Sequence, residues 1–279
     1  MAVRKARNSI GIIFPSISKH FRDSFFDSLI MAFEKKGYNC TLCMTRGNLE
    51  QERNAIEQLA PISDCLILMS CARHFDEIKD VIPHSIPTIY IFNQPEGCDG
   101  TCILESDYSA TYQGVISVAN QGYQNMAFVC TNFNHSFTQS LYKTYTEALS
   151  VVAPDTNFDD NVFEIDTLIT LNPKQLLDEI IKKGFDSIFC STSPLTTSLI
   201  DTIIVYQPDN PKLAVPVLGY AYADNLLSCR LYANTIIPPY DEIINLTVQQ
   251  ALYQISHPNS EKRAFLLKGT LHMHQMTLT

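Results

Sequence analysis

The chain has 279 residues, which at roughly 100–200 residues per domain makes one large domain or two small ones. Hydrophobic residues are 46% and charged residues 18%, a globular balance that excludes a disordered chain. With 20 Lys+Arg against 29 Asp+Glu the formal charge is -9, so the surface as a whole is a poor match for DNA.

In chain order, the pattern alternates strand-like and helix-like segments. Residues 10–14 are an apolar run closed by Pro15. Phe25, Phe26, Leu29, Ile30 and Phe33 then recur at helical spacing. A strand is expected over 39–44, a helix over 50–59, a strand over 65–69, a short helix over 75–82 and a strand over 88–92. The second half repeats the scheme: strand 126–130, helix 137–152, a polar loop 155–160, helix 175–183, strand 187–190 and helix 195–206. Strands at 215–218 and 234–237, a long amphipathic helix over 240–255 and a last strand over 265–271 complete it. Continuous apolar strands separated by helices imply parallel sheets covered on both faces. Gly37, Gly122 and Gly184 each stand between a helical pattern and a strand, followed by Tyr38, Tyr123 and Phe185. A glycine there takes the left-handed cap conformation without a Cβ clash.

Several chemistries lack their signatures. No two of the ten Gly form G-x-G, no Gly-Lys-Ser/Thr is present, and G-x-S-x-G and H-E-x-x-H are absent. No nucleophile, base and acid form a set, so neither catalytic residues nor a cofactor is expected. Cys40 and Cys43 have zinc-knuckle spacing, but three residues apart on a strand they point to opposite faces. His272 and His274 share a strand face without a third ligand near in sequence, so no metal site is expected. Cys98 and Cys102 lie in a loop at a spacing that suits a small disulfide; free thiols are the preferred reading. No apolar run approaches the roughly 18 residues of a membrane span. The basic stretch 1–7 leads into a short apolar run broken by Pro15, so a secretion signal is not expected, and a cytoplasmic location is.

The order of motifs resembles the effector-binding region of the LacI/GalR family of bacterial regulators, from Asn8 onward. Ile10-Gly11-Ile12-Ile13-Phe14-Pro15 through Phe21 is similar to the family's IGVIVPDISNPF. The stretch from Gly114 to Val129, Val215-Pro216-Val217-Leu218-Gly219-Tyr220 and Asn234-Thr235-Ile236 are similar to three further family segments in the same order. The resemblance implies two α/β lobes joined by three crossings, the fold of type I periplasmic binding proteins. The lobes are expected at 8–130 plus 237–256 and at 131–236 plus 257–279, with 1–7 as the remnant of a link to a DNA-binding headpiece. An effector is expected in the cleft between the lobes. Carried over residue by residue, it would meet Ser16, His20, Phe21, Ser70, Asp107, Gln139, Thr192 and Tyr222. Leu141 and Ala221 stand where members that grip sugars carry Arg and Asp. Losing those charged partners favours a neutral ligand, sugar-like or less polar. A homodimer, operator DNA reached only through the headpiece, no membrane and no catalysis are what the resemblance implies. The alternative is a stand-alone solute-binding protein of the same fold.

Overall fold

The computed structural model describes residues 7–15, 25–131, 133, 136–158, 160–165, 172–221 and 233–273. The chain divides into two compact units, Met1–Glu105 with Pro239–Leu267, and Ser106–Pro238 with Lys268–Thr279.

The first unit is built on a six-stranded sheet. Its strands are β1 (Ser9–Phe14), β2 (Asn39–Met44), β3 (Cys65–Leu68), β4 (Thr88–Ile91), β5 (Thr101–Ser106) and β11 (Ala264–Lys268), in the order β11-β5-β4-β3-β1-β2. The pairs from β5 through β2 are parallel. Helices cover both faces, because alternate residues of each strand point to opposite sides. Ile10, Ile12 and Phe14 meet Leu29 and Phe33 of α1 (Asp27–Glu34) and Ile243 and Val248 of α7 (Tyr240–Ser256). On the other face Ile13 and Leu66 meet Ala55, Ile56 and Leu59 of α2 (Leu49–Leu59).

The second unit repeats this plan with β6 (Met126–Cys130), β7 (Val162–Glu164), β8 (Ser187–Cys190), β9 (Val217–Tyr220), β10 (Asn234–Ile237) and β12 (Thr270–His272), ordered β12-β10-β9-β8-β6-β7. Only the β10–β12 pair is antiparallel among the described pairings. One face packs Phe128, Phe189 and Leu218 on α3 (Tyr108–Asn120) and α4 (Ser136–Val152). The other packs Ile188 and Val217 on α5 (Pro173–Lys182) and α6 (Ser193–Tyr206). The expected fold class, two parallel sheets each covered by helices, is what the chain forms.

Two boundaries differ from the sequence reading. The first crossing was expected near Cys130, yet β6 lies in the second sheet and the change of unit falls at 105–106. Strand and helix alternate without a break through that point, so periodicity carries no mark of it. The last crossing was expected near 256–258. Instead the final strand is split at Gly269: β11 joins the first sheet and β12 the second. A Cβ at Gly269 would stand 2.2 Å from Asp107 Oδ1, and the Gly269 N–H donates to Ser106 O at 3.3 Å. Only glycine lets the chain pass there. The crossing expected at 236–238 compares with a change of unit at 238–239. The three cap glycines have φ of +81°, +100° and +88°, as the helix-end reading requires.

Candidate ligand-binding site

Parallel strands deliver their following loops to one edge of the sheet, and ligands gather at those carboxyl edges. In the second unit, that edge is formed by the ends of β8 and β9, by residues 191–193 and by the starts of α3 and α4. Asp107 sits just before the first turn of α3, without a capping bond from its side chain. Burial pushes its carboxyl up to about 6, and the Tyr220 hydroxyl at the end of β9 opposes that shift by hydrogen bonding to the ionised form. The Tyr220 ring in turn stands 6.1 Å from that of Phe137, in the first turn of α4. Phe137 is 40% exposed, so this aromatic pair has a solvent-facing side.

Beside this group, Ser191-Thr192-Ser193 runs from the end of β8 into α6. The hydroxyls of all three are buried and take no hydrogen-bond partner among the described residues, as is also true of Thr111 on α3. Thr192 occupies the cap position of α6, and only its backbone carbonyl is used, accepting from Thr196. Buried polar atoms without partners cost about 1–3 kcal/mol each unless water or a ligand satisfies them. Asp107 and Thr192 thus fall on one polar edge. Gln139 is exposed on α4. Leu141 and Ala221 are buried, Leu141 within the core of α3, α4 and the sheet.

At the carboxyl edge of the first sheet, Ser70 follows β3 and is buried. Its hydroxyl donates to Glu52 Oε1 and accepts from the Ala72 N–H at 3.1 Å. Glu52 Oε2 also accepts from the Cys71 N–H at 2.6 Å, and Asn93 Nδ2 donates to the Ser70 carbonyl. Ser70 is therefore committed to shaping its own loop around a buried carboxylate. Nearby, Phe25, Phe92 and Tyr240 bring three rings within 5.1–5.9 Å of one another. Phe92 holds a φ of +67°, a left-handed conformation that bulky residues rarely adopt. Ser16, His20, Phe21 and Tyr222 lie outside the described residues.

Tyr220 and Glu52 are not among the site residues the sequence points to. Tyr220 closes a motif already read from the sequence, and Glu52 interrupts the apolar stripe Ala55, Ile56 and Leu59 at helical spacing, a signal that was present. The Phe92 cluster has no sequence signal, because a backbone angle sets it.

The chain is 23% identical over 269 residues to the HTH-type transcriptional repressor PurR of Vibrio campbellii, covering 92% of this chain and 77% of that protein. Its fold matches the Escherichia coli transcriptional repressor ascG with a TM-score of 0.81 at 16% identity, over 97% of this chain and 99% of that one. It matches a LacI family transcriptional regulator from Enterococcus faecium, solved with bound ribose, with a TM-score of 0.75 at 18% identity, over 95% and 97% of the two chains. No family model matches the chain.

The chain is similar to regulators of the LacI/GalR type.

Its fold is the one these regulators share. Within that fold, the polar edge of the second sheet is held by hydroxyls, one carboxyl and two aromatic rings. Among the described residues, no helix is long and apolar enough to cross a membrane.

Proposed function

We propose that the chain is the effector-sensing and dimerising region of a transcriptional regulator. It takes a small uncharged molecule, sugar-like or less polar, and so controls operator binding by a DNA-binding headpiece. The observation that carries this reading is the set of buried, unpartnered hydroxyls of Ser191, Thr192 and Ser193, which with Asp107 and Tyr220 lie at the carboxyl edge of the second sheet. Hydroxyl groups of a ligand would satisfy these atoms in both donor and acceptor roles. The ribose bound by the Enterococcus faecium regulator supports a ligand of this class. The buried Leu141 and Ala221 argue against an anionic or phosphorylated one, because neither can pair with charge. Ser16, His20, Phe21, Gln139 and Tyr222 complete the proposed contact set, with Ser70 acting on its loop. The formal charge of -9 agrees with a sensor whose DNA contacts are made elsewhere.

Coupling follows from linkage. A ligand that prefers one arrangement of the regulator shifts its population, and operator affinity shifts with it. A thermal-shift screen with neutral sugars, sugar phosphates and nucleosides tests the assignment. The expected result is stabilisation by a neutral compound, lost in Phe21→Ala or Tyr222→Ala. Stabilisation that survives both changes would place the ligand elsewhere.

A further inference from the structure

The first sheet has a second concavity at its other edge. A cavity of ~550 Å³ opens where β4 and β5 begin, lined by Thr88, Tyr90, Cys98, Gly100 and Lys262. Thr88 is 7% exposed, and its hydroxyl has no hydrogen-bond partner among the described residues. Tyr90 and Cys102 are cross-strand neighbours on β4 and β5, and Cys98 comes back to them over the turn through Gly100.

The Gly100 N–H donates to the Cys98 sulfur at 3.3 Å, beside the cross-strand pair Tyr90 and Cys102. The Cys102 thiol donates to the Gly100 carbonyl at 3.4 Å, so both sulfurs flank the same glycine. A Cβ at Gly100 would stand 2.7 Å from Tyr90 Cε2 and 3.2 Å from Cys98 Sγ, so a larger residue would force this cluster apart. Donors favour the thiolate, and the Cys98 thiol is lowered by Cys102, Gly100 and Tyr90 against its burial, while Cys102 is raised. Burial raises Cys40, Cys65, Cys71 and Cys130 instead. Among these thiols Cys98 is set apart by the Gly100 N–H it accepts and by its place on a cavity wall.

We propose that Cys98 and Cys102 form a peroxide-reactive dithiol that closes a reversible disulfide on the wall of this cavity. The Cys98 thiolate attacks one oxygen of hydrogen peroxide; an S–O bond forms, the O–O bond breaks and hydroxide leaves. The Cys102 thiol then attacks the resulting sulfenic acid, an S–S bond forms, the S–O bond breaks and water leaves. Two electrons pass from the sulfur pair to the peroxide, and a dithiol reductant reverses the change.

The test uses the intact chain, reduced, freed of reductant and exposed to a few equivalents of hydrogen peroxide, then alkylated and mapped by mass spectrometry. The expected product is a peptide bridged between Cys98 and Cys102, lighter by two hydrogens, formed before any other cysteine is lost and restored by dithiothreitol. In Cys102→Ser, dimedone should trap a sulfenic acid at Cys98 in preference to the remaining thiols. Recovery of alkylated Cys98 from the wild-type chain while other thiols oxidise would overturn the proposal, and this mapping needs no variant to fold. Equal dimedone labelling of Cys98 and the other cysteines would overturn the assignment of Cys98 as the attacking sulfur.

Discussion

Asp107 is a buried carboxyl with a raised proton affinity, about 6 against an ordinary 3.8. The native state therefore holds its proton more tightly than the unfolded chain does. Stability from this group is complete below the unfolded value and is lost as pH rises through about 6. Asp107→Asn should raise stability near pH 7.5 by on the order of 2–3 kcal/mol, since each pKa unit is worth about 1.4 kcal/mol. The gain should disappear near pH 4, and denaturant melts at the two pH values read this directly. Glu52 is a buried carboxylate of another kind, because its oxygens accept from Ser70 and from the Cys71 N–H. Glu52→Ala strands both donors and should cost about 3 kcal/mol in a urea melt, while Glu52→Gln, which keeps one acceptor, should cost less. At this scale the sequence was partly legible. Asp107 and Thr192 were nominated from position in a resembling family and fall on the same edge. Tyr220 ends a motif that the sequence shows, yet a strand-end tyrosine reads as core until its hydroxyl is seen beside a carboxyl.

At the scale of elements, alternation of apolar strands with helices fixes most of the architecture, because each strand buried on both faces demands helices to cover it. The strand β5 was missed: Thr101–Ser106 follows the turn at Gly97–Gly100, so its first residues read as loop. The split of the last strand at Gly269 was illegible too, since sequence shows one apolar alternation and only the approach of Asp107 explains the glycine. Close approach decides a second position. A Cβ at Gly219 on β9 would lie 2.2 Å from Thr196 Oγ1 and 2.9 Å from Thr196 Cγ2, both on α6. Gly219→Ala should destabilise the second unit by roughly 1–3 kcal/mol, as overpacking does. Adding Thr196→Ala removes both offending atoms and should restore more than half of that loss, which a double-mutant cycle in chemical denaturation measures.

For the whole molecule, the acidic charge suits a sensor that does not contact DNA with this surface. Similarity to LacI/GalR-type repressors is what supports the proposed sensing role. The sequence could not show what the polar edge of the second sheet leaves unsatisfied, because partnership between a hydroxyl and its neighbours is a three-dimensional fact. Calorimetric titration of a neutral sugar that stabilises the chain, into wild type, Asp107→Asn and Ser193→Ala, tests the central claim most directly. Loss of one or two hydrogen bonds is worth about 1.5 kcal/mol or more, so each variant should bind at least about tenfold more weakly. Asp107→Asn should do so while melting higher than wild type at pH 7.5. Undiminished affinity in both variants, or binding of only phosphorylated compounds, would contradict the account.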